Sequence, residues 1–304
     1  MKNINNTLIV FAAVILAGLA SAVSCKKAAT DDDNYVIKTF KVVAHRGGYK
    51  ESGAPECCIQ GLFYSSRIGC YASECDIVPT ADEYALICHP GDGNKINGFL
   101  PYEKTLAEIR AAGKLANQEN IPIMEDFCAW LTDKTKNPNG MKIWIDTKAW
   151  TNLDLTIKAI NYAYRAIKEA DAYEFCEFII PQNAELFAKV KQTEMFKDKK
   201  CNVGFMASDV SGLRILPPDS FENKMWLQTK YTAIYAATTP YSLDDYGQAG
   251  VPVSTWCTSD LNTELEKVVK PGIEQYDKDY FKALFVNYPL NAIKQLKKAG
   301  FEGK

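Results

Sequence analysis

The chain contains only two histidines, His45 and His89, and each directly follows a stretch that the residue pattern predicts to be a β-strand. Imidazole titrates near neutral pH, so a facing pair can divide acid–base work: one ring removes a proton from a nucleophile and the other protonates a leaving group. A single histidine would more often be structural. Because both of the only two stand at strand ends, we predict that both are catalytic.

Acidic residues stand at the ends of two other predicted strands. Glu74 and Asp76 are two residues apart, so their carboxylates point to one face of the strand, whereas Cys75 points to the other. Asp146 and Lys148 repeat this spacing later in the chain. Carboxylates held close together repel unless a cation neutralises them, and hard ions such as Ca²⁺ and Mg²⁺ take oxygen ligands. We predict a divalent metal site; the alternatives are a solvated strand face and a simple ion pair.

Groups suited to binding an anion lie beside the same residues. Arg46 follows His45 and precedes Gly47 and Gly48. A guanidinium binds phosphate oxygens in a bidentate manner, and glycines allow the backbone to turn sharply against a ligand. Lys148 adds an ammonium group that can neutralise phosphate charge. The combination predicts that this end of the strands binds phosphate.

The segments that position these residues alternate between strand-like and helix-like patterns, which is typical of a parallel α/β sheet. The nine strand candidates are residues 41–44, 71–77, 85–88, 142–146, 175–180, 202–206, 226–231, 251–256 and 283–286. The clearest helical periodicity falls at 153–168, 183–191 and 289–299. About eight strand–helix units in this length predict an α/β fold of the (β/α)8 TIM-barrel type, with a doubly wound open sheet as the alternative.

Loop-rich segments interrupt this alternation. Residues 90–102 are rich in Gly, Asn, Asp and Pro, which predicts an insertion after the second-strand region. Active sites of such barrels are built from loops that follow strand ends. We therefore expect this segment and residues 213–222 to shape the substrate site, with Phe99 and Tyr102 either lining the pocket or packing within the loop.

The N-terminus has the composition of an export signal rather than of a folded domain. Lys2 precedes an apolar stretch at 8–20 and small residues that lead to Cys25, which predicts a lipoprotein signal peptide at 1–25 with Cys25 lipidated. An ordinary cleaved signal and an uncleaved anchor helix are the alternatives. Residues 26–35 are polar and predict a flexible tether, followed by a barrel domain at 36–304. The protein is thus expected to be exported and membrane-anchored, facing the periplasm or the cell surface.

Bulk composition excludes some partners. The formal charge is −2 with both signs interspersed, so the sequence shows no nucleic-acid footprint. Nine cysteines besides Cys25, without paired spacing, support neither a disulfide framework nor a zinc ribbon. A zinc site made of His45, His89 and a cysteine remains an alternative, although the spacing matches no zinc motif.

Taken together, the motifs resemble those of the glycerophosphodiester phosphodiesterase family. The resemblance lies in His45-Arg46-Gly47-Gly48, Pro55-Glu56, Glu74-Cys75-Asp76, His89, Thr105-Leu106-Ala107-Glu108-Ile109, Ile121-Pro122-Ile123-Met124-Glu125-Asp126, Asp146 with Lys148, Val253-Ser254-Thr255-Trp256-Cys257 and Phe285-Val286-Asn287-Tyr288-Pro289. It extends from about Val43 to Pro289, and residues 169–250 contribute little to it.

The resemblance implies a phosphoric diester hydrolase of lipid metabolism that converts a small glycerophosphodiester to glycerol 3-phosphate and an alcohol, using one divalent ion, Ca²⁺ or Mg²⁺. It also implies that a hydroxyl of the substrate attacks phosphorus to form a cyclic phosphate, which water then opens. By position the implied roles are acid–base catalysis for His45 and His89, phosphate binding for Arg46 and Lys148, metal binding for Glu74, Asp76 and Asp146, and a supporting role for Glu56.

Several positions depart from the family pattern. Cys57 stands where the family has Asn, Pro90 where it has Asp, Asp146 where it has Glu, and Asn287 where it has Asp. None of these changes removes an acid, a base or a metal carboxylate outright. Two alternatives stay open: a non-catalytic barrel lipoprotein that binds a ligand, and a phospholipase D-type barrel that releases a cyclic phosphate from a lipid.

Overall fold

The fold is known from a computed structural model that describes residues 38–91, 96–148, 150, 152–222, 225–257 and 280–303. The predicted signal peptide at 1–25 and the predicted tether at 26–35 lie outside the described residues. The described part begins at Lys38, close to the predicted start of the barrel domain. No helix within the described ranges is long and apolar enough to cross a membrane.

Parallel strands close into a barrel, as the sequence predicts. The strands of the described chain are β1 (Lys38–Phe40), β2 (Val42–Ala44), β3 (Ala72–Pro79), β4 (Ala85–Ile87), β5 (Lys142–Thr147), β6 (Cys176–Pro181), β7 (Asn202–Ala207), β8 (Met225–Lys230), β9 (Val253–Cys257), β10 (Phe281–Val286) and β11 (Phe301–Gly303). The order around the barrel is β2, β3, β5, β6, β7, β8, β9, β10, and β10 pairs with β2 to complete it. This closure excludes the doubly wound open sheet.

Helices surround the barrel between its strands. In the described chain they are α1 (Tyr49–Ser52), α2 (Ile59–Arg67), α3 (Leu106–Ala112), α4 (Met124–Thr132), α5 (Leu153–Glu169), α6 (Ala184–Val190), α7 (Glu194–Lys197), α8 (Val210–Ile215), α9 (Tyr231–Ile234), α10 (Leu243–Gln248) and α11 (Pro289–Lys298). Side-chain caps fix several helix starts; for example, Asn152 Oδ1 accepts a hydrogen bond from Asp154 N at the start of α5. The three predicted helices correspond to α5, α6 and α11.

The predicted strand at 85–88 does not belong to the barrel. β4 pairs with the end of β3 in an antiparallel arrangement, with Ile87 opposite Ile77. His89 therefore reaches the barrel rim from a strand that runs back toward the barrel, whereas His45 stands at the end of a barrel strand. Both histidines lie at one rim, as predicted, but the predicted reason is wrong for His89, because a short apolar run does not reveal the direction of its strand.

Two apolar cores hold the barrel together. Inside it, Trp144 and Trp226 lie with ring centroids 4.3 Å apart, and both are fully buried. A Cβ atom at Gly204 would lie 2.6 Å from the Trp226 ring, so only glycine fits beside that ring. The larger core fills the space between the strands and the helices and includes Cys75, which points away from the barrel interior as predicted.

The predicted insertion forms a small satellite core at the rim. Phe99 and Tyr102 pack against buried residues of this core, and Tyr102 meets Trp150 edge to face at 5.7 Å. Neither aromatic side chain lines the cavity described below. The structure therefore favours the packed-loop alternative for both of them.

Residues 213–222 lie away from the predicted substrate site. Leu213 is buried in α8, and Phe221 and Glu222 line cavities together with Met225 at the start of β8. Barrel strands start at the end of the barrel opposite the active-site rim, because active sites lie at the carboxyl ends of the strands. The expectation that this segment shapes the substrate site is wrong, because it leads from a helix back into a strand.

Candidate active site

The three predicted metal-binding acids come together at the carboxyl ends of β3 and β5. Asp76 and Asp146 are paired residues of these adjacent strands. Glu74 lies two residues before Asp76, on the same face of β3. One oxygen from each carboxylate lies within 4.8 Å of the other two. Burial raises the pKa of Glu74 well above its ordinary value and that of Asp76 to about 6, since a buried charge is costly.

Lys148 lies among these carboxylates. Its Nζ is 2.5 Å from Asp76 Oδ1 and 2.6 Å from Asp146 Oδ2. Burial opposes the ammonium charge, but Asp146 and Asp76 outweigh burial and raise the pKa of Lys148. The lysine is therefore charged at neutral pH and offsets part of the negative charge of the acids.

The segment after β2 turns sharply and presents Arg46. Arg46 itself has φ 48°, and the next two residues, Gly47 and Gly48, also have positive φ. The backbone N–H of Arg46 donates to Glu74 Oε2 at 2.9 Å, and its NH1 donates to both carboxylate oxygens of Glu56 at 3.1 Å. Glu56 thus orients the guanidinium and is not part of the acidic cluster, which narrows the supporting role predicted for it.

His45 is oriented by a residue that the sequence argument did not assign to the site. Its Nδ1 lies 2.5 Å from Asn287 Oδ1, at the end of β10. An Nδ1–H donated to this oxygen leaves the lone pair on Nε2, which lies 3.9 Å from Glu74 Oε2. Burial, with Arg46 as a further cause, lowers the pKa of His45 to about 3, so the ring is neutral at pH 7. The signal for Asn287 was its place at the end of the last strand, just before Tyr288-Pro289.

His89 lies at the edge of the same site and is half-buried. Burial, followed by the positive charges of Arg46 and Lys148, lowers its pKa to about 4. The backbone N–H of the preceding Cys88 donates to the carbonyl of Asp76 at 3.0 Å, which holds the end of β4 against β3. His89 does not line the cavity that His45 lines.

The cysteines near the site are buried thiols. Cys57 Sγ donates to Asp76 Oδ2 at 3.6 Å, so the cysteine in the position of the family's Asn contacts one of the three clustered acids. Cys57, Cys58, Cys70, Cys75, Cys88, Cys128 and Cys176 are not in disulfides. Within the described residues the only group with metal-ligand geometry is the three acids, so the zinc alternative has no support.

A cavity of about 240 Å³ opens between the acids and the far wall of the barrel. Its lining is His45, Arg46, Glu74, Asp146, Lys148, Ile179, Met206, Ser208, Gln228, Trp256 and Phe285. One side is charged and the other is apolar or neutral. A larger cavity of about 1160 Å³ lies at the opposite end of the barrel, around Val203 and Met225, away from both histidines and the three acids.

The acids fit a hard divalent ion. They supply oxygen donors only, which suits Ca²⁺ or Mg²⁺. Asp146 Oδ1 is buried and has no hydrogen-bond partner in the described structure. A buried carboxylate oxygen without a partner is costly, and a cation would satisfy it.

Comparison with known proteins identifies the fold. No family model and no curated protein matches the sequence. Solved structures do: a glycerophosphodiester phosphodiesterase from Parabacteroides distasonis has 21% identity and TM-score 0.66 over 86% of this chain and 99% of that one. One from Agrobacterium tumefaciens has 13% identity and TM-score 0.58, covering 84% and 99%. A phosphodiesterase from Oleispira antarctica, in complex with its product sn-glycerol-3-phosphate, has 18% identity and TM-score 0.57, covering 84% and 96%.

The chain therefore has the barrel fold of glycerophosphodiester phosphodiesterases. At these identities the likeness establishes the fold, and it confirms the TIM-type barrel predicted from the sequence. The chemistry must be argued from the residues of this chain.

Proposed function

We propose that this protein is a phosphoric diester hydrolase that converts glycerophosphodiesters to glycerol 3-phosphate and an alcohol. The observation that supports this most strongly is the joint placement of two acids, two cations and His45 around one cavity, with Asp76 completing the acidic cluster beside it. Proteins with this fold include glycerophosphodiester phosphodiesterases, and one of them binds sn-glycerol-3-phosphate.

Arg46 and Lys148 would hold the phosphate. Both line the cavity and both stay charged at neutral pH, because nearby carboxylates raise their pKa values. A divalent ion held by Glu74, Asp76 and Asp146 would supply further positive charge to stabilise the developing charge on the phosphate oxygens. Arg46 and Lys148 also lower the pKa values of both histidines, so a bound phosphate anion would raise these pKa values again toward neutrality.

The two histidines would move the protons. His45 Nε2 is the free acceptor, because Nδ1 donates to Asn287. It would remove the proton from the substrate hydroxyl next to the phosphate as that oxygen bonds to phosphorus. The bond from phosphorus to the alcohol breaks, and His89 would donate the proton that the alcohol oxygen needs. Water then opens the cyclic phosphate with the two roles reversed.

The test is release of glycerol 3-phosphate from glycerophosphocholine and glycerophosphoethanolamine by the purified mature chain, with Ca²⁺, with Mg²⁺ and after chelation. Loss of general acid–base catalysis typically costs 10²–10⁴-fold, so His45→Ala and His89→Ala should each lower kcat by about that factor. Exposed Glu222→Gln, at the opposite end of the barrel, is the matched control and should retain activity.

The products separate the proposal from its alternatives. A cyclic phosphate that accumulates as the final product would favour the phospholipase D-type reaction. A folded, metal-loaded wild type that binds glycerol 3-phosphate but releases none from either substrate would reject the hydrolase and favour a binding role.

We also propose that the protein is exported and anchored in a membrane through a lipidated Cys25, facing the periplasm or the cell surface. The support is the signal-like composition of residues 1–25. In cells fed labelled palmitate, the wild type should incorporate label and sediment with membranes. Cys25→Ser should do neither, and an equally labelled variant would reject the proposed anchor site.

A further inference from the structure

The wall of the cavity opposite the acids contains a buried side-chain amide whose oxygen has no hydrogen-bond partner. Gln228 lies on β8, four strands around the barrel from Glu74 and Asp76 on β3. Its side chain is 1% exposed and lines the cavity. In the described structure its Oε1 accepts no hydrogen bond.

Such an amide is costly unless a ligand satisfies it. A buried polar group without a hydrogen bond destabilises a protein, and an apolar side chain of the same length would avoid this cost. The neighbours in register on either side, Met206 and Ser254, do not supply the partner. Ser254 Oγ and Trp256 Nε1 on β9 are also buried without partners.

The surroundings indicate what kind of group would bind there. The cavity residues beyond the charged side are Ile179, Met206, Ser208, Gln228, Trp256 and Phe285, none of which is charged. Apolar walls with one amide suit a short carbon chain that ends in a neutral hydroxyl. The charged phosphate belongs at the other side, between Arg46 and Lys148.

Position decides which hydroxyl this is. The hydroxyl that attacks phosphorus must lie beside the phosphate and within reach of His45. Gln228 stands on the opposite wall, so it can only reach a hydroxyl farther along the carbon chain. The cavity volume of about 240 Å³ suits a small polyol, with the second alcohol of the diester left outside.

We propose that Gln228 is a specificity-determining residue that hydrogen-bonds the terminal hydroxyl of a polyol phosphodiester, the hydroxyl not adjacent to the phosphate. This rests on the proposed hydrolase function and makes its substrate class narrower. The protein selects diesters whose polyol carries a free terminal hydroxyl, and disfavours those in which that hydroxyl is missing or esterified.

The experiment pairs one variant with two substrates. Gln228→Met keeps the side-chain length and removes the amide. Met225→Leu, at the start of the same strand and away from the cavity, is the control. The substrates are glycerophosphocholine and 2-hydroxypropyl phosphocholine, which retains the attacking hydroxyl and lacks only the terminal one. The wild type should prefer glycerophosphocholine in kcat/KM by about 10–100-fold, since leaving buried polar groups unpaired costs about 1–3 kcal/mol.

Gln228→Met should abolish this preference by slowing glycerophosphocholine alone, and Met225→Leu should keep it. The melting temperature of Gln228→Met should equal or exceed that of the wild type, because this variant removes a buried amide whose oxygen has no hydrogen-bond partner. Equal losses with both substrates would indicate a merely structural role and overturn the proposal, as would an unchanged preference or a wild type without preference.

Binding separates this proposal from failure of the hydrolase. If the wild type hydrolyses neither diester, thermal shift and tryptophan fluorescence with sn-glycerol 3-phosphate and 2-hydroxypropyl phosphate replace kinetics. Preferential binding of the first ligand that is lost in Gln228→Met would support the role of Gln228 while the hydrolase proposal fails. Equal binding of both ligands by the wild type, or no binding of either, would overturn the proposed role of Gln228.

Discussion

A divalent ion should stabilise this protein strongly, and removal of Asp76 should abolish the effect. The three carboxylates present oxygens within 4.8 Å of one another. Two unit charges at that distance repel by about 3.5 kcal/mol at an effective dielectric constant of about 20, and Lys148 and Arg46 relieve only part of this. An ion that binds the folded state alone adds about 2.7 kcal/mol at 100 times its Kd. For a domain of this size that raises Tm by about 5–10 °C.

Asp76→Asn replaces one proposed carboxylate ligand with an uncharged amide of the same shape. Loss of even an outer partner of a metal ligand weakens affinity by about 10–100-fold. At a 100-fold loss the same ion concentration equals Kd, and the stabilisation falls to about 0.4 kcal/mol, or about 1–2 °C. Lys148 keeps Asp146 as a partner, so the variant should still fold.

The assay is thermal unfolding followed by circular dichroism, with chelator and with Ca²⁺ or Mg²⁺ at 100 times the Kd measured for the wild type. Glu222→Gln removes an equal charge at the opposite end of the barrel, where the carboxylate is exposed, and should keep the full shift. A shift that survives in Asp76→Asn, or no shift in the wild type with either ion, would refute the metal site.

Further expectations concern the same site and the core. Burial raises the pKa of Asp76 to about 6 and that of Glu74 well above its ordinary value. Both must be ionised to bind a cation, so calorimetric metal affinity should fall as the pH drops through about 6. Lys148→Met should tighten metal binding, because the ammonium no longer competes for Asp76, yet lower kcat by at least about 10²-fold; calorimetry and kinetics check both directions. Gly204→Ala should destabilise the protein by about 1–3 kcal/mol in urea unfolding, because its Cβ would clash with Trp226.

The sequence predicted the barrel because strand-forming runs have a local signal. Alternation and chain length were enough to find the eight barrel strands to within two residues at each end. They were not enough to show that 85–88 runs antiparallel to β3, because direction depends on pairing and not on composition. The sequence also did not show that residues 213–222 lie at the opposite end of the barrel. The composition of a loop does not indicate at which end of the barrel it lies.

The candidate site was predictable where spacing on one strand decides the geometry. Glu74 and Asp76 share a face because they are two apart, and Asp146 joins them because β5 adjoins β3. Asn287 and Gln228 could not be found this way. Each acts through a residue or a space on another strand, and only the closed barrel brings β10 against His45 or sets β8 opposite the acids.

The amide at Asn287, where the family resemblance would place a carboxylate, has a measurable consequence for His45. An amide oxygen holds Nδ1–H without adding negative charge, so burial and Arg46 keep the pKa of His45 at about 3. Asn287→Asp would place a carboxylate beside the imidazole, and an opposite charge at this distance raises a histidine pKa by about 1–3 units.

The chain has two histidines, so the metal-free protein should show two imidazole signals by NMR, assigned with His89→Ala. In Asn287→Asp the His45 signal should titrate at higher pH, and His89, whose pKa is lowered to about 4 by its own burial, should shift little and serve as the internal control. An unchanged His45 titration would mean that the carboxylate does not reach Nδ1, and that the contact with Asn287 does not set the protonation of the proposed base.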